Sequence, residues 1–191
     1  MKNLIISFAP GARGFLLGKW LINNRLGRAF DSNTRLLPLN HDSTNHDFTP
    51  IYNDLLLDNR YSMENFQLVN QALSDDSNDI AQLSQLFFTS KFTRQDDTSG
   101  YDIILTHYSS FSALTKLKHV LNATIIRITF KDIEQANSSY LRKFNYSKIT
   151  DADINDLESN YYTFIHKFEH GIDIPLDTVT NLDLEFLKEQ L

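Results

Sequence analysis

The chain has 191 residues, 41% hydrophobic and 22% charged, with a mean hydropathy of -0.33, the profile of one globular domain long enough to bury a core. Eighteen Lys and Arg against 24 Asp and Glu give a net charge of -6, which argues against a nucleic-acid binder or a polybasic membrane-surface protein. Zero cysteines exclude disulfides, Cys-based zinc sites and thiol nucleophiles, and no apolar run reaches the roughly 18 residues of a membrane span.

In chain order, Lys2 and the apolar run behind it have the outline of a short signal peptide. Arg13 interrupts that run and no small-x-small cleavage site closes it, so the segment is read as mature structure and the protein as cytoplasmic. Residues 3–9 then read as a buried strand stopped by Pro10-Gly11, and the spacing over 15–26 predicts an amphipathic helix. Residues 31–50 are rich in Asp, Asn, Ser, Thr and His around the apolar stretch 36–39, a short strand before a long loop. Helical spacing returns over 63–73 and 79–88, and 101–105 reads as a second strand. Regular alternation follows: helix 110–121, strand 123–130, helix 132–146, helix 152–169, strand 171–176 and helix 181–191.

Strands that are apolar throughout and separated by helices predict a single domain over 1–191, a three-layer α/β/α sandwich on a mostly parallel sheet. Ligands of such sheets sit beyond the carboxyl ends of the strands, so residues 10–14, 106–110 and 130–132 are expected to converge on one crevice. Charge supports an anionic small-molecule ligand there. Residues 1–35 carry six basic groups and one acid, residues 116–148 seven and two, so each sums to +5 and the remainder to -16.

Three motifs fall at the expected crevice. Gly11-Ala12-Arg13-Gly14-Phe15-Leu16 joins the first strand to the first helix, where backbone N–H groups and the helix dipole favour a phosphate. It is not a Walker loop: position 16 is Leu, and Gly18-Lys19 lies inside the helix with no hydroxyl after it, which disfavours a small P-loop kinase. Thr106-His107 ends the second strand, placing an imidazole where a general base is useful. Lys131-Asp132 ends the next strand, with Ser139-Tyr140 two helical turns on; Lys131 by charge and Ser139 by its hydroxyl suit a second phosphate. The plainer reading of that segment is a solvated helix with Asp132 at its dipole end.

Together these motifs resemble the sulfotransferase family of P-loop-related proteins. That family has a strand-loop-helix like Pro-Lys-Ser-Gly-Thr-Thr around the 5′ side of its donor, a strand ending in Thr-His, and a strand ending in Arg with Ser-Tyr eight and nine residues later. Here Gly11 to Leu16, Thr106-His107 and Lys131 with Ser139-Tyr140 keep that order and spacing, and 174–179 with 183–187 resemble the strand, acidic turn and leucine-rich helix near the family's end. The resemblance implies a P-loop NTPase-like fold and sulfuryl transfer from 3′-phosphoadenylyl sulfate to a hydroxyl or amine of a small-molecule or glycan acceptor, without metal. It implies His107 as base, Arg13 and the loop 11–16 on the transferring group and leaving phosphate, Lys131 with Ser139 on the 3′-phosphate, and 31–100 as an acceptor-binding insert. The family's loop Lys aligns with Ala12, its loop hydroxyls with Phe15 and Leu16, and its Arg with Lys131, which loses bidentate geometry. Those departures keep open a non-catalytic nucleotide- or phosphate-binding module with the same fold.

Two further patterns are set aside. His166-Lys167-Phe168-Glu169-His170 matches an inverted zinc-protease motif if helical, but a match of this length is common by chance. The pairs His41-Asp42 and His46-Asp47 lie in a loop whose Asp and Asn are explained by turn chemistry, so no metal site is expected.

Overall fold

The structure is a computed structural model that describes residues 2–9, 11–26, 28–29, 49–51, 101–106, 110–144 and 161–191. Its strands are β1 (Lys2–Ser7), β2 (Arg28–Ala29), β3 (Thr49–Ile51), β4 (Tyr101–Thr106), β5 (Ala123–Thr129) and β6 (Ile172–Pro175). They form one sheet in the order β2-β4-β1-β5-β6, with β3 also on β4, and every described pairing is parallel. The chain therefore starts at the centre of the sheet, leaves to one side, returns to β4 and crosses over β1 to β5. That reversal at β1 is a topological switch point.

Burial on both faces explains why the central strands are mostly apolar. Leu4 and Ile6 of β1, Ile103 and Leu105 of β4, and Ile126 and Ile128 of β5 share one cluster with Leu16, Leu17 and Leu21 of helix α1 (Gly14–Asn23). Ile5 and Ile125 alternate to the opposite face and are also fully buried. There α2 (Phe111–Val120) packs on β5 with Ala113, Leu114 and Leu117 buried. The fold is thus α/β, three layers on a parallel sheet. Each such Leu or Ile contributes about 1.5–3 kcal/mol by leaving water. Among the described residues no helix is long and apolar enough to cross a membrane.

The remaining helices are α3 (Ile133–Phe144), α4 (Leu176–Thr180) and α5 (Leu187–Gln190). Two helix ends differ from expectation for one reason. The N–H of Arg25 donates to Ile22 O at 2.9 Å and that of Leu26 to Leu21 O at 2.9 Å, with Arg25 left-handed at φ 59°, so α1 stops at Asn23. The same paired bonds, Leu182 N–H to Val179 O and Asp183 N–H to Thr178 O, close α4 around Leu182 at φ 57°. The expected helix 181–191 is therefore a helix that starts earlier, a reversal, and the short α5. These are Schellman stops without the glycine that normally announces them. β2 and β3 are too short to show a period, and β3 brings part of 31–100 into the sheet. The expectations at 36–39, 63–73, 79–88 and 152–160 lie outside the described residues.

Beyond Tyr161 the expected helix to 169 gives way to a 3-10 turn, Tyr162–Phe164, and irregular backbone. The cause is Arg127 on β5. Its Nε donates to Asp173 Oδ1 at 2.9 Å, its Nη1 to Thr163 O at 3.2 Å, and its Nη2 to His166 O and, at 3.4 Å, to Asp173 Oδ2. The Phe130 N–H takes Phe164 O at 3.1 Å. Carbonyls that a helix would use are consumed by the strand beside it.

Burial lowers the Arg127 pKa, and the hydrogen bond and charge of Asp173 oppose that shift. Removing one partner of a buried pair is costly because the other is left uncompensated. Urea unfolding of Asp173→Ala is expected to show a loss of about 3–5 kcal/mol. Glu185→Ala, which removes only the partly exposed Lys188–Glu185 pair at 2.6 Å, should cost less than about 1 kcal/mol.

Candidate functional site

In the sheet β4-β1-β5, Ser7 pairs with Thr106 on one side and with Arg127 on the other, so the three strands finish side by side. The carboxyl ends of the three strands therefore lie at one edge of the sheet, with Arg13 following β1 and Lys131 following β5. His107 itself lies outside the described residues, as does Pro10.

The turn from β1 to α1 is tight. Ala12 N–H donates to Ala9 O at 2.9 Å, Gly11 has φ 89°, and Arg13 precedes the helix in the left-handed conformation at φ 63°, ψ 24°. The Arg13 side chain at the N-cap makes no capping hydrogen bond, and the first turn of α1 holds no acid. Ala12 and Leu16 are buried in the core, while Gly11, Arg13 and Phe15 are half-buried. The loop therefore offers backbone N–H groups and one guanidinium, and no hydroxyl.

Gly14 has a packing reason. A Cβ there would overlap the ring of Phe8, which also meets Phe15 edge-on at 6.0 Å. The glycine lets the last residues of β1 and the first turn of α1 come into direct contact.

Beyond β5 the residues are less convergent. Lys131 is exposed, with its ammonium 3.8 Å from Asp132. Asp132 Oδ1 accepts from Gln135 N–H at 2.8 Å, the N-cap contact of α3, and Gln135 links the turn to α4 by donating from Nε2 to Asp177 Oδ1 at 2.9 Å. Ser139 is buried at 3% exposure, and Tyr140 packs edge-on against Tyr161. The structure thus realises the capping role of Asp132, and it sets Lys131 at the surface while Ser139 faces inward.

The second basic island does not stay together. Arg127 is in the core, Lys131 is at the sheet edge, and Lys116 and Lys118 lie on α2. Only Lys131 of these four follows a strand at the crevice, so a compact second phosphate site spanning the island is not what the fold builds. The pattern 166–170 is likewise not helical, so His166 and His170 share no helix face. Among the described residues no three His, Asp or Glu converge as metal ligands. No protein-family model, curated protein or solved structure matches the chain.

One group of residues was not anticipated. Phe111, Thr115, Lys116 and His119 of α2 face Lys167, Phe168, Glu169 and His170 across a groove of about 800 Å³. Its signals in the sequence were the basic bias of 116–148, there assigned to the crevice, and the pattern 166–170, there set aside as a chance metal motif.

The Phe8 contact makes a clean prediction. Gly14→Ala should destabilise by about 1–3 kcal/mol in urea unfolding through overpacking. In the Phe8→Ala background its cost should shrink by about 1 kcal/mol or more, since the two residues share one space.

Proposed function

We propose that the crevice beyond β1, β4 and β5 binds the phosphate of a nucleotide of the 3′-phosphoadenylyl sulfate type, in a sulfotransferase-like P-loop fold. The single observation that carries this reading is the β1 to α1 turn. A helix amino terminus whose N-cap side chain makes no capping bond, a left-handed Arg13 and a glycine turn lie at the carboxyl end of the central strand, where the chain reverses direction. The reaction it would serve is sulfuryl transfer to a hydroxyl or amine of a small-molecule or glycan acceptor, in the cytoplasm. The acceptor oxygen or nitrogen attacks sulfur, the bond from sulfur to the phosphate oxygen breaks, and the acceptor proton passes to His107. Arg13 and the loop amides offset charge on the leaving phosphate. The donor supplies the activated sulfuryl group, and no metal is part of the scheme.

The residues fit the 5′ side of that donor better than its 3′ side, since Lys131 stands beside Asp132 and Ser139 is buried. A second reading, a phosphate-binding module without catalysis, is favoured by Ala12. It occupies the place of the family's loop Lys and is fully buried, leaving Arg13 as the loop's only cation.

Calorimetry with 3′,5′-adenosine bisphosphate tests the reading. Arg13→Gly keeps the left-handed backbone and removes the charge. It should hold or raise stability and weaken the bisphosphate about tenfold, the value of one charged hydrogen bond. Unchanged affinity would remove Arg13 from the site. His107→Ala should retain binding and lose transfer from labelled donor; binding with no transfer in the parent protein selects the second reading.

A further inference from the structure

The groove between α2 and the turn at 167–170 shares no lining residue with the β1 to α1 turn or with Lys131, and it has a built form. Its two walls are pinned at both ends. Phe111 meets Phe168 with ring centroids 5.2 Å apart, and Lys118 Nζ donates to His170 O at 2.8 Å. Beneath the first of these contacts lies Arg127, its guanidinium carbon 5.0 Å from the Phe111 ring and 5.3 Å from that of Phe168. The walls therefore rest on the buried Arg127 side chain, with an opening of about 800 Å³ between them.

Its lining is chemically biased in a chain of net charge -6. Lys116, His119, Lys167 and His170 line it against one carboxylate, Glu169. His119, Lys167 and His170 are exposed, so their polar ends reach solvent in the opening. Phe111, one of three large apolar side chains left exposed among the described residues, supplies a flat apolar wall. A volume of this size and a mixed apolar and cationic lining suit a small molecule, since such sites typically hold about 300–1,000 Å³.

We propose that this groove is a second ligand site, taking a small aromatic molecule that carries a phosphate or sulfate group. The ring lies against Phe111, and the tetrahedral anion is held by Lys167, His170 and His119. Charge alone would hold any anion weakly at an exposed site, so the apolar wall is what selects a ring.

The probe is phenyl phosphate, titrated into the whole chain and followed by backbone amide shifts of Ser112, Thr115, His119 and Glu169. The expected result is a saturable shift of these amides, tighter than with inorganic phosphate or phenol alone. Lys167→Gln combined with His170→Gln, two exposed positions, should weaken it about tenfold or more, while Arg13→Gly leaves it unchanged. The proposal is overturned by no saturable shift at these amides, or by full affinity in the double variant. It is overturned equally if inorganic phosphate binds as tightly as phenyl phosphate, which would make the groove a place for an adventitious ion only. Loss of the shift in Arg13→Gly would place the probe in the crevice instead and also contradict it.

Discussion

The guanidinium of Arg127 is fully buried on β5, where desolvation disfavours its charge. Asp173 on the neighbouring strand, the carbonyls of Thr163 and His166, and three phenylalanine rings within 6.0 Å supply the compensation. These partners come from three parts of the chain, β6, the segment 163–168 and the start of α2, so satisfying one side chain ties all three to β5. Asp173 adds a bond from the Phe168 N–H at 2.9 Å, which fixes that segment further. An apolar residue at 127 would fill the same space without dictating where the carbonyls go, so the cation serves geometry more than stability.

The sheet edge is arranged by strand register. With β4, β1 and β5 in parallel register, the carboxyl ends of all three strands lie to one side, and the close approach of Phe8 to Gly14 brings the start of α1 to the end of β1. The same cation sets the groove on the α2 face, because Phe111 and Phe168 both stack on it. The crevice presents backbone amides and Arg13, while the groove, backed by Arg127, presents basic side chains and a ring.

Much of the architecture was legible because burial on both faces leaves a plain record. The runs at 3–9, 101–105 and 123–130 are mostly apolar, with Ser7 and Arg127 as buried polar exceptions, which is the pattern of strands covered on both faces. Helix ends were less legible, since Arg25 and Leu182 adopt left-handed stops that sequences usually mark with glycine. The segment 161–169 has helical spacing, and no local signal reveals that its carbonyls are claimed by an arginine more than 30 residues earlier. At the site, the glycine turn and Arg13 were readable from their place after a strand. Charge counting was not a guide to space, because Arg127, Lys131, Lys116 and Lys118 are close in sequence and go to the core, the sheet edge and α2 respectively.

The central claim is that the β1 to α1 turn receives a phosphate. Its most direct measurement is a backbone amide shift map of the chain titrated with 3′,5′-adenosine bisphosphate. The account predicts the largest saturable changes at Gly11, Arg13, Gly14, Phe15 and Leu16, whose N–H groups lie at the turn. Changes confined to other residues, or none at saturating bisphosphate, would contradict it.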